Sequence, residues 1–204
     1  MPSGLLWATC NVGAETETDY GLYFQWGDVS GYTAEQVGNG TGKKQFSWGT
    51  YKYCSGAGTS NSAMTKYNSS DGLTVLEPED DAAHVFMGGD WRMPTSGETR
   101  ELLNNCTWTR SQANGLSGYT VSNKSDSSRY IFLPVGGVAD GSSIAYSSES
   151  CYYLTSSVEM ISYSWSKTFC ATYWGNVSDG GHITLGYNSR YRGCCIRAVL
   201  NPTS

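Results

Sequence analysis

Only two stretches of this chain combine a helix-start signal with an apolar stripe, and both are short. Residues 77–88, EPEDDAAHVFMG, place Pro78 in a first helical turn, acidic groups at the start and Gly88-Gly89 as a stop. Ala82, Val85 and Phe86 share one face of that helix. Residues 95–105, TSGETRELLNN, offer Thr95 as an N-cap with Glu98 three residues on, which is a capping box. Leu102 and Leu103 supply its stripe, and Asn104-Asn105 ends it. The rest must fold from strands and turns. The 25 glycines and the abundant Ser, Thr, Tyr and Asn agree with many short strands.

Several strands are legible. Leu22, Phe24 and Trp26 recur at period two within Tyr20–Trp26, which predicts a half-buried strand ended by Gly27-Asp28. From Thr33 to Ser70 the chain is rich in Gly, Asn, Ser, Thr and Lys, with aromatics at Phe46, Trp48, Tyr51 and Tyr53. That composition predicts a long loop region pinned by aromatics, or several short strands. After Cys106, strands are expected at Thr107–Trp108, Gly118–Ser122 and Tyr130–Pro134, the last with Ile131, Leu133 and Val135 alternating before Gly136-Gly137 turns the chain. Two helices with strands before and after fit an α+β fold. At 204 residues the chain suffices for one substantial domain.

Charge and composition remove several functions. The net charge is −5, and no basic groove accompanies the tyrosines, so no nucleic-acid partner is expected. No apolar run is long enough to insert in a membrane. The chain opens on Met1 and Gly4-Leu5-Leu6-Trp7 without a secretory signal's charged and apolar regions, so any leader or anchoring domain is expected upstream. The seven cysteines form no C-x-x-C pair, and His84 and His182 stand alone. The acids Glu77, Glu79, Asp80 and Asp81 do not follow a calcium loop and are accounted for by a helix start. Neither a metal nor another cofactor is therefore expected. Most of the thiols are expected to act as small buried hydrophobes. His84 is expected to form a hydrogen bond at a surface or between helices.

The last fifty residues, Cys151 to Val199, differ from the rest. Seven of the fifteen tyrosines lie between Tyr146 and Tyr191, interleaved with Ser, Asn, Gly and Cys. Rigid aromatic area among small adaptable polar neighbours is the composition of a paratope.

Three segments carry a family resemblance: Gly89-Asp90-Trp91-Arg92-Met93-Pro94-Thr95, Tyr23-Phe24-Gln25-Trp26-Gly27, and the closing Arg190-Tyr191-Arg192-Gly193-Cys194-Cys195-Ile196-Arg197-Ala198-Val199. With Gly4-Leu5-Leu6-Trp7-Ala8, they resemble the bacterial major paralogous domain group, related to the formylglycine-generating enzyme superfamily. The resemblance implies a C-type lectin fold of two short helices, small antiparallel sheets and long loops. Trp91, Arg92, Pro94, Gly193 and Arg197 become scaffold positions in that reading. Arg92, just before a capped helix, is expected to bridge carbonyls and a carboxylate, and Arg197 to have a structural partner for its charge.

Within that family the chain most resembles variable proteins of diversity-generating retroelements, in which template adenines are replaced at random. Asparagine codons of the AAC type then yield Tyr, Phe, Ser, Asn, Asp, His, Gly, Cys, Arg and others, but never Trp, Met, Lys, Gln or Glu. The resemblance implies a scaffold over about 1–149 and a variable, ligand-binding region over about 150–199. Its candidate variable positions are Tyr152, Tyr163, Phe169, Tyr173, Asp179, His182, Tyr187, Asn188, Tyr191, Arg192 and Cys194. Glu159, Met160, Trp165, Lys167 and Trp174 are scaffold by the same codon logic. The implied function is recognition of a cell-surface protein or glycan, at a phage tail, a pilus or a surface lipoprotein, without catalysis. Two alternatives stand beside it: a non-diversified carbohydrate-binding or structural surface module, and an oxidase of the formylglycine-generating kind using the pair Cys194-Cys195.

Overall fold

The two ends of the chain close on one ladder. Strand β1 (Leu6–Trp7) pairs antiparallel with β10 (Val199–Leu200), Trp7 opposite Val199. A computed structural model describes residues 1–55, 64–147, 149–158, 165–172 and 182–202, with backbone alone at 165–172, His182 and Tyr187. Among the described residues the architecture is α+β: two short α-helices and small antiparallel sheets. Among the described residues, no helix is long and apolar enough to cross a membrane.

The helix expected over 77–88 is divided in two. A 3₁₀ turn covers Pro78–Asp80 and α1 covers Ala82–Met87, with Asp81 extended between them at φ −88° and ψ 105°. Asp81 is drawn out because its carboxylate has two tasks. It caps α1 through the His84 N–H at 3.0 Å and also accepts the Met93 N–H at 2.8 Å. The buried face of α1 is Ala82 and Ala83, whereas Val85 and Phe86 are 49% and 46% exposed, which corrects the expected stripe. Helix α2 (Ser96–Asn105) has the expected capping box, Thr95 accepting from the Glu98 N–H and Glu98 from the Thr95 N–H. It ends at Asn105 and passes directly into β2.

Strands β2 (Cys106–Ala113), β3 (Leu116–Asn123) and β4 (Tyr130–Pro134) form an antiparallel meander. The β2–β3 turn is Asn114-Gly115, both with positive φ (50° and 78°), the geometry of a tight hairpin. A second hairpin joins β5 (Val138–Asp140) to β6 (Ser143–Ala145). The third unit is the meander β7 (Ser150–Val158), β8 (Trp165–Thr172) and β9 (His182–Ser189), with α2 lying against it.

β7 leaves the ladder between Leu154 and Val158, where it bulges. The released backbone is used elsewhere: Thr155 O accepts the Trp26 indole N–H at 2.9 Å, and Ser156 N–H donates to Pro94 O at 2.8 Å. Leu76 N–H in turn donates to Ser156 O at 2.9 Å. The bulge thereby ties the last third of the chain to the Trp91–Thr95 segment ahead of α2.

The predicted strand at Tyr20–Trp26 exists only as single bridges, Tyr23 to Tyr32 and Phe24 to Cys194. Successive N–H groups go to different partners: Tyr23 to Tyr32 O, Phe24 to Cys194 O, Trp26 to Arg190 O. The period of two is present, but neither face is solvent. Phe24 and Trp26 enter one core with Tyr67, Met93 and Ile196, while Tyr23 enters a second with Phe46, Tyr119, Leu133 and Cys195. Tyr153 and Leu154 divide in the same way. The segment is a partition between two cores rather than a half-exposed strand.

Candidate functional site

The closing segment Arg190–Val199 sorts its residues sharply. Arg190 and every residue from Gly193 to Val199 are buried, while Tyr191 and Arg192 are half-exposed. Three arginines hold the surrounding backbone. Arg197, fully buried, donates from Nε to Asn11 Oδ1 (2.9 Å), from Nη1 to Ala8 O (3.0 Å) and Thr9 O (2.8 Å), and from Nη2 to Phe132 O (2.8 Å). Its partners are neutral acceptors, and burial pushes its guanidinium below the usual range. Arg190 donates to Lys66 O (3.2 Å) and Tyr67 O (2.6 Å) and stacks over the Trp26 ring at 4.7 Å. Arg92 forks onto Glu98 at 2.8 and 2.6 Å, with Met93 O and Asn201 as further acceptors, as its sequence setting predicts.

Gly193 belongs to this scaffold for a steric reason. A Cβ there would lie 2.4 Å from the Phe46 ring, so the close approach of the closing segment to Phe46 requires glycine. Its N–H and C=O both pair with Ala139 on β5.

The two half-exposed residues between these anchors are held by the scaffold. Tyr191 meets Trp48 edge-on at 4.9 Å, and its carbonyl accepts from Gln25 Nε2 at 2.8 Å. Arg192 pairs with Asp140 on β5 at 2.8 Å, and its other Nη donates to Asn188 Oδ1 at 3.0 Å. Behind Trp48 the aromatic contacts continue inward: Trp48–Tyr51 (5.8 Å), Tyr51–Tyr53 (6.2 Å), Tyr53–Tyr67 (5.7 Å) and Tyr67–Trp26 (5.0 Å). Six rings thus run from the half-exposed surface to the buried core.

Asp80 fixes the base of this ladder. Its nearly buried carboxylate accepts from Lys52 (2.8 Å), Lys66 (2.7 Å), Tyr67 (2.7 Å) and Tyr53. Burial alone would raise the Asp80 carboxyl, but these four donors outweigh it and hold it well below the usual carboxylate range. The acid run therefore does more than favour a helix start. Asp80 gathers the aromatic loop, and Asp81 joins α1 to Met93.

The other predicted contact positions divide into groups. Tyr152 is half-buried on β7, its ring 6.4 Å from that of the exposed Tyr146. Phe169 on β8 stands opposite Tyr153 and Leu185, Tyr187 on β9 opposite Lys167, and His182 opposite Thr172. Tyr163, Tyr173, Asp179 and Trp174 lie outside the described residues.

Asn188 and Cys194 are corrections. Both are buried, so neither is a free surface position. Asn188 is turned inward to accept from Arg192 and to approach the Cys194 sulfur at 3.8 Å, and Cys194 exchanges both backbone hydrogen bonds with Phe24 at 3.0 Å. Trp48 and Asp140, which hold Tyr191 and Arg192, carry no local sequence signal of that role. Trp48 stood out only as one of the aromatics pinning a polar loop.

Cys195 has the wrong environment for a nucleophile. Burial pushes its thiol up to about 12, and the Arg197 charge only partly opposes that shift. Among the described residues, no three His, Cys, Asp or Glu side chains converge as a metal site would require. His84 is a structural hydrogen-bond former, its Nδ1 3.3 Å from Trp91 O.

Compared with protein-family models, curated proteins and solved structures, the chain matches none of them.

Proposed function

We infer that this chain is a recognition domain of C-type lectin type whose C-terminal face is diversified by a retroelement. The observation that carries this reading is the segregation within Arg190–Val199: outward Tyr191 and Arg192 beside the buried, backbone-bonded block from Gly193 to Val199. A surface that must change repeatedly without unfolding needs variable side chains whose loss costs little beside anchors that do not vary. In this reading the half-exposed Tyr191 and Arg192 are the variable positions, and the buried Arg190, Gly193 and Arg197 are the anchors. Tyrosine and arginine are also residue types that concentrate binding energy at interfaces.

The ligand is a cell-surface protein or glycan, and the domain acts as an adhesin on a phage tail, a pilus or a surface lipoprotein. It acts by binding, not by catalysis. The buried, protonated Cys195 thiol supports that choice over an oxidase using the cysteine pair.

Sister copies of the locus test the reading. Substitutions confined to about 150–195, at adenine-bearing codons and beside a reverse transcriptase and a template repeat, are expected. Differences spread evenly along the chain, or the absence of a template, would overturn it. Cys194 and Asn188 sharpen the test, because their burial requires that only small or well-accommodated residues replace them.

A further inference from the structure

Strands β1 and β4 each end a sheet, and both line one cleft of about 270 Å³, with Gly4–Trp7 on one side and Arg129–Ile131 on the other. Just past the cleft a single guanidinium joins the two strands. Arg197 donates from Nη1 to Ala8 O and Thr9 O and from Nη2 to Phe132 O, so β1 and β4 meet through a side chain and not through a ladder.

The backbone on both sides of the cleft is open. Ala8 N–H donates to Ala198 O, so the pairing with β10 uses the backbone of Ala8 and Leu6 and turns that of Trp7 away from β10. On β4, Val135 N–H donates to Ser117 O and Asn123 N–H to Arg129 O, so the pairing with β3 uses Ile131 and Leu133 and turns Tyr130 and Phe132 outward. Phe132 O is taken by Arg197. Among the described residues, the N–H and C=O of Trp7 and of Tyr130 have no hydrogen-bond partner. The indole N–H of Trp7 is buried and also lacks an acceptor among them.

Between the two edges the lining is apolar, with Leu5, Leu102, Val121 and Ile131, and the lips Leu6 and Tyr130 are 53% and 55% exposed. Open N–H and C=O groups on both sides call for an occupant that alternates donors and acceptors along two edges. A peptide backbone does this, and an alkyl chain carries neither group. The volume suits a short length of extended chain. It is too small to seat a folded second copy, since a stable dimer buries roughly 800 Å² on each partner.

We propose that this cleft takes an extended peptide segment of another protein as an added strand between β1 and β4, its alternate side chains apolar and directed onto Leu102 and Val121. The added strand would join the β1–β10 ladder and the β2–β3–β4 meander into one sheet. The site is separate from Tyr191 and Arg192, so either can fail without the other.

The probe is a five-residue acetylated peptide amide of alternating valine and threonine, titrated to millimolar concentration into the whole chain. Amide hydrogen exchange is followed residue by residue by NMR. In the free chain the Trp7 and Tyr130 amides should exchange fast, and at saturation both should slow by about tenfold or more. The same peptide N-methylated at its threonines keeps every side chain but loses the donors along one edge, and should not bind. Tyr130→Pro removes an N–H that β3 does not use, at the first position of a strand, and should abolish binding with the melting curve retained. If that variant does not fold, the two peptides decide. Trp7 and Tyr130 amides already protected in the free chain, no change with peptide, or equal binding of the N-methylated peptide would overturn the proposal. Protection that appears without peptide and rises with protein concentration would assign the cleft to a second copy and overturn it too.

Discussion

Trp48 and Tyr191 touch edge-on, their ring centroids 4.9 Å apart at an interplanar angle of 65°. One belongs to the polar, Gly-rich early loop region and the other to the closing motif. The candidate face is thus a joint product of both ends of the sequence. Tyr191 has little freedom, because its carbonyl is also bound by Gln25.

That contact predicts measurable coupling. Trp48→Ala and Tyr191→Ala should each lower stability modestly, and the double mutant should lose less than their sum. A coupling energy of about 1 kcal/mol is expected from an aromatic pair of this geometry. Denaturant unfolding of the four proteins in the cycle measures it. Strict additivity would mean that Trp48 does not position Tyr191.

The arginines should behave in opposite ways. Arg197→Lys should cost about 3 kcal/mol or more, since one ammonium cannot serve the four acceptors on Asn11, Ala8, Thr9 and Phe132 and leaves buried carbonyls unpaired. Arg192→Ala should cost no more than about 1 kcal/mol, because its pair with Asp140 is partly exposed and screened. Urea midpoints compare the two directly. Similar losses would contradict the division into anchor and variable position.

What could be read in advance followed from local chemistry. The α2 capping box depends on residues three apart, and Arg92 sits beside the helix whose Glu98 it grips, so both were legible. The division of the helix expected over 77–88 was not, because Asp81 is pulled out by Met93, twelve residues away. The Tyr20–Trp26 period was read correctly and its environment incorrectly, since alternation cannot distinguish solvent from a second core. The β2–β3 hairpin did announce itself in Asn114-Gly115, a turn signal that the strand boundaries at Thr107–Trp108 and Gly118–Ser122 left unused. The Trp48–Tyr191 and Arg192–Asp140 contacts join distant segments, and nothing local encodes them.

Asp80 predicts an acid limb of stability. Its folded carboxyl is held below the unfolded value, so its contribution is complete above the unfolded pKa of about 3.9 and is lost as pH falls from there toward the folded value. Asp80→Asn should lower the melting temperature at neutral pH, where Lys52 and Lys66 lose their shared anion. It should also flatten the loss of stability below about pH 4 relative to the parent chain. Melting temperatures of both proteins across that range provide the comparison. Parallel acid limbs would show that other carboxylates carry the effect.

Thiol chemistry separates the recognition and oxidase readings. A cysteine serving as nucleophile must reach the thiolate near neutral pH and meet its reagent. Cys195 does neither, being 1% exposed with its thiol pushed up to about 12 by burial. Cys10 is partly exposed and carries a free thiol, so iodoacetamide should label it in the native protein. Cys195 should become labelled only with global unfolding, at a rate that rises with denaturant in step with the loss of structure. Peptide mapping after timed labelling distinguishes the two sites. Rapid native-state modification of Cys195 at neutral pH would remove the basis for preferring recognition over oxidation, because a buried protonated thiol cannot react ahead of an accessible one.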